Sequence, residues 1–180
     1  MSQVKTQQIP LASLNIPLER DVFSRSLIRE LSGLLEEMIG LEEASGFISV
    51  VGQRIGFEIG NYYKDALQVS KLDKQQITDV LLDLKTRIEG EFFIIDANDD
   101  KVEMGCNACP FGDKVNNRPS LCMMTSNVFG TIAADNNGYA KVALDKTIAQ
   151  GDSACHVTVF FNDTDEARQA DGREYYQAGE

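Results

Sequence analysis

The 180-residue chain has no tryptophan, one histidine, and 17 Lys and Arg residues against 28 Asp and Glu residues. A net charge of −11 disfavours nucleic acid and anionic membrane surfaces as direct partners, because both are polyanions. No apolar run approaches the roughly 20 residues of a membrane span. The first 20 residues also lack the apolar segment of a secretory signal. We therefore expect a soluble cytoplasmic protein with no direct contact to nucleic acid or membrane.

Motifs for catalysis are also scarce. Neither a P-loop nor a dinucleotide-type glycine motif after a strand is present. A Ser–His–Asp or Cys–His device would need His156, which strand alternation places on the face opposite Cys155. Enzymatic activity stays undecided, and a non-enzymatic role is favoured.

Hydrophobic residues make up 43% and charged residues 25% of the chain, as in an ordinary globular domain. Residues 1–24 hold prolines and scattered apolar positions and predict an extended N-terminal lead-in. Residues 25–161 predict a single sensor-like domain. Residues 162–180 are acidic, have little apolar content, and predict a flexible solvated tail.

Helical periodicity appears in four places. An apolar stripe over 27–39 ends at Gly40, and a second helix is predicted over 41–68. A third, over 74–89, begins at an Asp73/Gln76 capping box, and a fourth covers 121–135. The predicted buried side of the second helix is Phe47, Ile48, Val51, Ile55, Ile59, Tyr62 and Ala66.

Two pairs of short strands complete the pattern. Residues 92–95 and a run ending at Met104 flank a turn at 98–100, and residues 139–148 and 155–161 flank Gly151-Asp152. The predicted fold class is α+β: an antiparallel sheet built from two β-hairpins and packed against about four helices.

The four cysteines have the spacing C-x2-C-x12-C-x32-C: Cys106, Cys109, Cys122 and Cys155. The two-residue gap of the first pair lets one turn bring both sulfurs to one centre. Four thiolates suit tetrahedral zinc or a 4Fe–4S cluster, and the sequence does not choose between them. Cys122 falls in the first turn of a predicted helix, where we expect the helix dipole to lower its pKa. Cys155 alternates onto the predicted core face, so all four are expected to meet between sheet and helix.

Other interpretations of these residues stay open. The cysteines could form a redox pair or simply pack as small hydrophobic residues. Glu103 lies near the cysteine loop and could be a second-shell group, a replacement ligand, or an exposed strand residue.

Gly52, Gly56 and Gly60 form a stripe of three on the second predicted helix. Each glycine costs about 1 kcal/mol relative to alanine inside a helix, so the stripe requires a reason. Small residues at this spacing allow close approach of another helix, in this fold or in a homodimer, or of a ligand. A ligand would lie between this stripe, Phe129 and the sheet.

Four segments of the chain carry a family resemblance. The closing strand Gly151-Asp152-Ser153-Ala154-Cys155 resembles that of the 4-vinyl-reductase sensor domain. The segments Cys109-Pro110-Phe111-Gly112, 121–126 and Val128-Phe129-Gly130 resemble the methanogen output domain, and the likeness spans about residues 25–161.

The resemblance implies the mixed α/β fold of a superfamily that includes haem nitric-oxide sensors and vesicle-tethering subunits. It also implies frequent homodimers, a role in sensing or signal output, and a regulatory protein partner. Vinyl-reductase-type sensors bind small hydrophobic molecules beside a cysteine-ligated zinc, and Cys155 matches their final cysteine ligand. Thr147, Ile148 and Ala149 stand where that family has its other ligands.

The leading hypothesis is a sensory or regulatory module that binds zinc or an iron–sulfur cluster through Cys106, Cys109, Cys122 and Cys155. The alternatives are a small hydrophobic-ligand binding protein with a structural zinc, and a thiol-redox protein.

Overall fold

The computed structural model describes residues 15–177. In this part of the chain the helices are α1 (Arg20–Leu67), α2 (Lys74–Arg87), α3 (Pro119–Asn137) and α4 (Asp165–Gln169). The strands are β1 (Phe92–Ala97), β2 (Lys101–Cys106), β3 (Tyr139–Lys146), β4 (Cys155–Phe160) and β5 (Gly172–Tyr176). Short 3₁₀ turns cover Gly112–Val115 and Ile148–Gln150.

A kink divides α1 at the position where the sequence predicts a helix end. Gly40 has φ 81° and ψ 161°, a conformation outside the helical region that glycine adopts without a Cβ clash. The predicted helices over 27–39 and 41–68 are therefore two segments of one kinked element. The helix begins at Arg20, so part of the predicted extended lead-in is helical, while residues 1–14 lie outside the described residues.

Local hydrogen bonds explain two other boundaries. The capping box at α2 is present, since Asp73 Oδ1 accepts from the Gln76 amide at 2.8 Å and Gln76 Oε1 accepts from the Asp73 amide at 2.9 Å. In the turn between β1 and β2, Asn98 Oδ1 accepts from the amides of Asp100 and Lys101 at 2.9 and 3.0 Å.

The sheet has the strand order β1-β2-β4-β3-β5, and every neighbouring pair is antiparallel. The two predicted hairpins, β1–β2 and β3–β4, are confirmed and join through the β2–β4 pair. The predicted α+β class is confirmed, with β5 added at the edge next to β3.

Helix α3 lies between the sheet and α1 and is buried around most of its circumference. The buried residues of the second segment of α1 are Ala44, Ile48, Ser49, Gly52, Gly56 and Gly60, and the three glycines face α3. The predicted buried side of this segment is therefore largely wrong: Phe47 and Tyr62 are 61% and 60% exposed. Small residues replace large ones on the buried face because two helix backbones approach closely there.

The C-terminal segment corrects a further prediction. Residues 165–169 form α4 and residues 172–176 form β5, where the sequence predicts a flexible tail over 162–180. Ala167 of α4 is fully buried against Ala143 and Phe160, on the sheet face opposite α3. Tyr175 of β5 packs on α3 at Gly130. A few well-placed apolar side chains order this segment despite its acidic composition.

Among residues 15–177, no helix is both long and apolar enough to cross a membrane.

Candidate metal centre

Strand register brings the first and last cysteines together. Cys106 ends β2, Cys155 begins β4, and the two are direct partners across the antiparallel pair. Directly opposite residues share a face of the sheet. Met104 and Val157, the next pair on that face, are buried in the core, so both cysteines point to the α3 side.

The second cysteine comes from the loop after β2. This loop is fixed to the start of β1, because the Glu91 amide donates to Ala108 O at 3.0 Å and the Asn107 amide donates to Glu91 O at 3.1 Å. The Gly112 amide donates to Cys109 O at 2.8 Å, and Gly112 has φ 56°, which favours glycine. These bonds turn the chain tightly around Cys109.

The third cysteine lies in the first turn of α3, where Pro119 occupies a favourable starting position. As the sequence predicts, the helix start directs Cys122 towards the other three. All four cysteines line one cavity of about 30 Å³ between α3, the loop and the sheet. Apolar side chains form most of the rest of its wall: Phe92, Pro110, Phe111, Val115, Leu121, Leu144 and Val157.

The cysteines differ in acidity. A hydrogen bond from Cys106 lowers the pKa of Cys155, and the Ile148 amide, 3.4 Å from Cys155 Sγ, acts in the same direction. The same contact, together with burial, raises the pKa of Cys106. Cys106 has one thiol proton and a second acceptor, Ala108 O at 3.1 Å. Of the two cross-strand partners, Cys155 is therefore the more acidic.

The two remaining thiols are less acidic than usual. Burial raises the pKa of Cys109. Burial also raises the pKa of Cys122 to about 12, with a further contribution from Cys109. The prediction that the helix start lowers the Cys122 pKa is wrong for the metal-free site, because desolvation of the thiolate outweighs the dipole.

Sequence reasoning missed Lys85. Its side chain is buried, and Nζ donates to Thr125 Oγ1 at 3.0 Å and lies 5.2 Å from the Phe92 ring centroid. Burial lowers the Lys85 pKa to about 8, while the nearby cysteines act to raise it. The signal was present in the sequence, since Lys85 follows Leu81 by four positions on the apolar face of α2.

The structure separates the other predicted site residues from this cavity. Glu103 lies on the opposite sheet face, where its carboxylate is 2.7 Å from Lys101 Nζ and 3.5 Å from His156 Nε2. The prediction that Glu103 supports the cysteine ligands is therefore wrong, because alternation along β2 points residues 103 and 106 to opposite faces. Phe129 is fully buried in the core beside Lys85.

The glycine stripe is a helix contact within the fold. A Cβ on Gly52 would stand 2.6 Å from Asn127 Cβ, and one on Gly56 would stand 2.8 Å from Thr131 Cβ. Gly60 faces Ile132 of the same helix, with ordinary van der Waals spacing. The stripe serves close packing of α1 on α3, and the ligand position between the stripe and Phe129 is filled by α3 itself.

Comparison with known proteins gives the family. The model of methanogen output domain 1 matches residues 27–160, three quarters of the chain. The chain belongs to the methanogen output domain 1 family. The match covers all four cysteines and ends before α4 and β5. No curated protein matches the chain.

Among solved structures, the chain is similar to the phenol-responsive sensory domain of the transcription activator PoxR, crystallised with phenol. The TM-score is 0.62 at 14% sequence identity, over 85% of this chain and 80% of that one. At this identity the likeness establishes a shared fold.

Proposed function

We propose that this output domain is a sensory or regulatory module in which Cys106, Cys109, Cys122 and Cys155 bind a metal, and that gain or loss of the metal is its signal. The observation that supports it is the convergence of all four cysteines of the chain on one cavity from β2, the following loop, α3 and β4. Packing alone does not require a C-x2-C pair in a polar loop to meet two distant cysteines.

The donor set fits a thiophilic metal. Four thiolates are a common ligand set for structural zinc, and they also hold iron–sulfur clusters. Within residues 15–177, no three His, Cys, Asp or Glu side chains already stand in ligating geometry, so the thiols must turn towards a common point. These cysteines are free of disulfides, and Cys109, Cys122 and Cys155 are partly exposed, so such rotation is available to them.

Cavity size favours a single ion. A volume of about 30 Å³ accommodates one water-sized species. A 4Fe–4S core is several times larger and would require the loop to move away from α3. We therefore place zinc first and a cluster second.

Helix α1 supplies a route from the site to the rest of the molecule. Ile28 packs in one apolar cluster with Cys109 and Cys122. Arg29 holds the neighbouring loop by donating to Asn116 O at 2.9 Å and to Lys114 O. A change in the conformation of the cysteine loop would therefore alter how the first segment of α1 packs against it.

That segment also supports a homodimer. Leu27, Leu31, Leu34 and Met38 follow alternating spacings of four and three and are 54–72% exposed. This is the pattern of a coiled-coil seam, and a second copy carries the same seam. We propose that the module acts as a homodimer through this surface, with a regulatory protein as its downstream partner.

Cysteine substitution tests the metal proposal. Cys122→Ser and Cys106→Ser should each reduce bound metal at least tenfold and lower the melting temperature of the loaded protein. Ala108→Ser, which adds a hydroxyl in the same loop and keeps every sulfur, should retain wild-type metal content. Unchanged metal content and stability in both cysteine variants would refute the proposal.

A thiol-redox function is the second candidate, and the Cys106–Cys155 pair favours it. The two residues are cross-strand partners, and Cys155 carries the more acidic thiol of the pair. Oxidation would remove two electrons and two protons and form one S–S bond. A redox titration with mass spectrometry tests this, and a pair that stays reduced in oxidised glutathione would exclude it.

A groove supports the ligand-binding alternative. It measures about 340 Å³, within the usual range of small-molecule sites, and lies between α3, β3 and β5. Met123, Leu144 and Arg173 line it, and Cys122 connects it to the cysteine cavity. A thermal-shift screen with phenols and other small aromatic compounds tests this alternative, and no shift across the set would count against it.

A further inference from the structure

Lys85 lies directly behind the wall of the cysteine cavity. Thr125, which accepts the hydrogen bond from Lys85 Nζ at 3.0 Å, also lines the cavity. So does Phe92, whose ring centroid is 5.2 Å from the ammonium. The Phe129 ring centroid lies 5.0 Å away on the core side. Lys85 is only 4% exposed, so water does not solvate its ammonium group.

The described part of the chain offers this ammonium no carboxylate. None of the ion pairs among residues 15–177 includes Lys85. The titratable groups that act on it are Cys106, Cys109, Cys122 and Cys155. A second cation, Arg25, also acts on Cys109 and is itself paired with Asp21.

A metal bound by the four cysteines would place a second unfavourable charge beside that of Lys85. A buried ammonium with one hydroxyl partner and two aromatic rings lacks a full counter-charge. Four thiolates around one divalent ion carry a net charge of −2, which is equally unfavourable in an apolar cavity. Each charge reduces the free-energy cost of burying the other. With a neutral residue in place of Lys85, the metal-bound thiolates would be buried without a nearby positive charge.

We propose that Lys85 is the resident counter-cation of the thiolate metal centre and increases the affinity of the four cysteines for a divalent metal. This inference rests on the proposed function. On binding, each thiol releases its proton to solvent and each sulfur donates a lone pair to the metal. Lys85 keeps its proton, so the buried charge falls from −2 to −1. Lys85 acts as a positioning residue and contributes no ligand.

The test compares zinc affinity in two lysine variants by competition with a chromogenic chelator. Lys85→Met keeps an unbranched apolar side chain of nearly the same length and removes the ammonium group. It should weaken zinc binding about 10- to 100-fold, as loss of an outer-shell partner does. Lys141→Met is the matched control, because Lys141 is also buried, at 6% exposure, and does not line the cavity. Its zinc affinity should match the wild type.

A second measurement separates charge compensation from simple structural support. Thermal unfolding of metal-free Lys85→Met should occur at the wild-type temperature or above it, because an apolar residue replaces a buried ion. If Lys85→Met does not fold, Lys85→Gln, which can still donate to Thr125, takes its place with the same expected loss of affinity.

The outcomes are distinct. Wild-type zinc affinity in the neutral variant overturns the Lys85 proposal and leaves the metal centre standing. No binding by the unmodified chain overturns the proposed function and this inference together. Weakened binding by a variant whose metal-free form is at least as stable as the wild type supports both.

Discussion

Replacing glycines of α1 by alanine tests how closely this helix packs on α3. Gly46 and Gly56 both lie within the second segment of α1. A Cβ on Gly46 meets nothing within 4 Å, whereas a Cβ on Gly56 would stand 2.8 Å from Thr131 Cβ and 3.1 Å from Val128 O. The backbone oxygen cannot be moved by a rotamer change, so the Gly56 site has little room to relax.

Both substitutions gain helix propensity, but only Gly56→Ala also causes overpacking against α3. Alanine in place of glycine stabilises a helix interior by about 0.8–1 kcal/mol, and this gain applies to both sites. Overpacking costs about 1–3 kcal/mol and applies to Gly56 alone. Gly46→Ala should therefore increase the free energy of unfolding by up to about 1 kcal/mol. Gly56→Ala should fall below Gly46→Ala by the overpacking term, about 1–3 kcal/mol.

Urea unfolding monitored by circular dichroism, in the presence of a chelator, measures both variants in the same metal-free state. The difference between their midpoints, multiplied by the shared m-value, gives the free-energy cost of overpacking. Equal stabilisation by the two alanines would show that α1 does not contact α3 at Gly56 and would refute the packing described above.

Two further predictions concern the rest of the fold. Tyr175→Ala should destabilise the protein by roughly 3 kcal/mol, because its ring packs on α3 at Gly130. Tyr176 is 66% exposed, so Tyr176→Ala should cost about 1 kcal/mol or less. Equal effects of the two substitutions in urea unfolding would contradict the placement of β5. Alkaline pH should also destabilise the folded state. Burial and the hydrogen bond to Asp83 raise the pKa of Tyr63 to about 12. The folded state therefore keeps a proton that the unfolded state releases from about pH 10. The free energy of unfolding should fall as the pH rises from 10 towards 12, and a pH series of melts in which Tyr63→Phe shows the same slope as wild type would contradict this.

The elements that the sequence predicts well are those with strong periodicity and explicit end signals. The Asp73 capping box, the Gly40 break and the 98–100 turn each act through local hydrogen bonds or backbone conformation, so a short stretch of sequence contains the whole signal. Convergence of the cysteines was predictable for a similar reason. Alternation along β4 fixes the face of Cys155, and the start of α3 fixes the position of Cys122.

The wrong predictions arise from packing between distant segments. Phe47 and Tyr62 look buried by composition, yet the close contact with α3 requires the glycine face. The segment that holds β5 looks like a solvated tail, yet Tyr175 finds a site on α3 at Gly130, 45 positions away. The glycine stripe signals the first contact without naming its partner helix, and no local pattern in the sequence signals the second.

Glu103 is a different case, because the information was available. It stands between Val102 and Met104, which share the core face with Cys106, so period-two alternation already directs it away from the cysteines.

Metal analysis of the unmodified chain, purified without oxygen and without added metal, tests the central claim most directly. Elemental analysis with a visible spectrum should find about one zinc per chain in a colourless protein, as four-thiolate ligation of a single ion predicts. A brown protein with iron and sulfide would keep the four-cysteine centre and reverse our preference for a single ion. A protein that contains neither metal, and takes up neither zinc nor cobalt when these are added to the reduced thiols, would contradict the account.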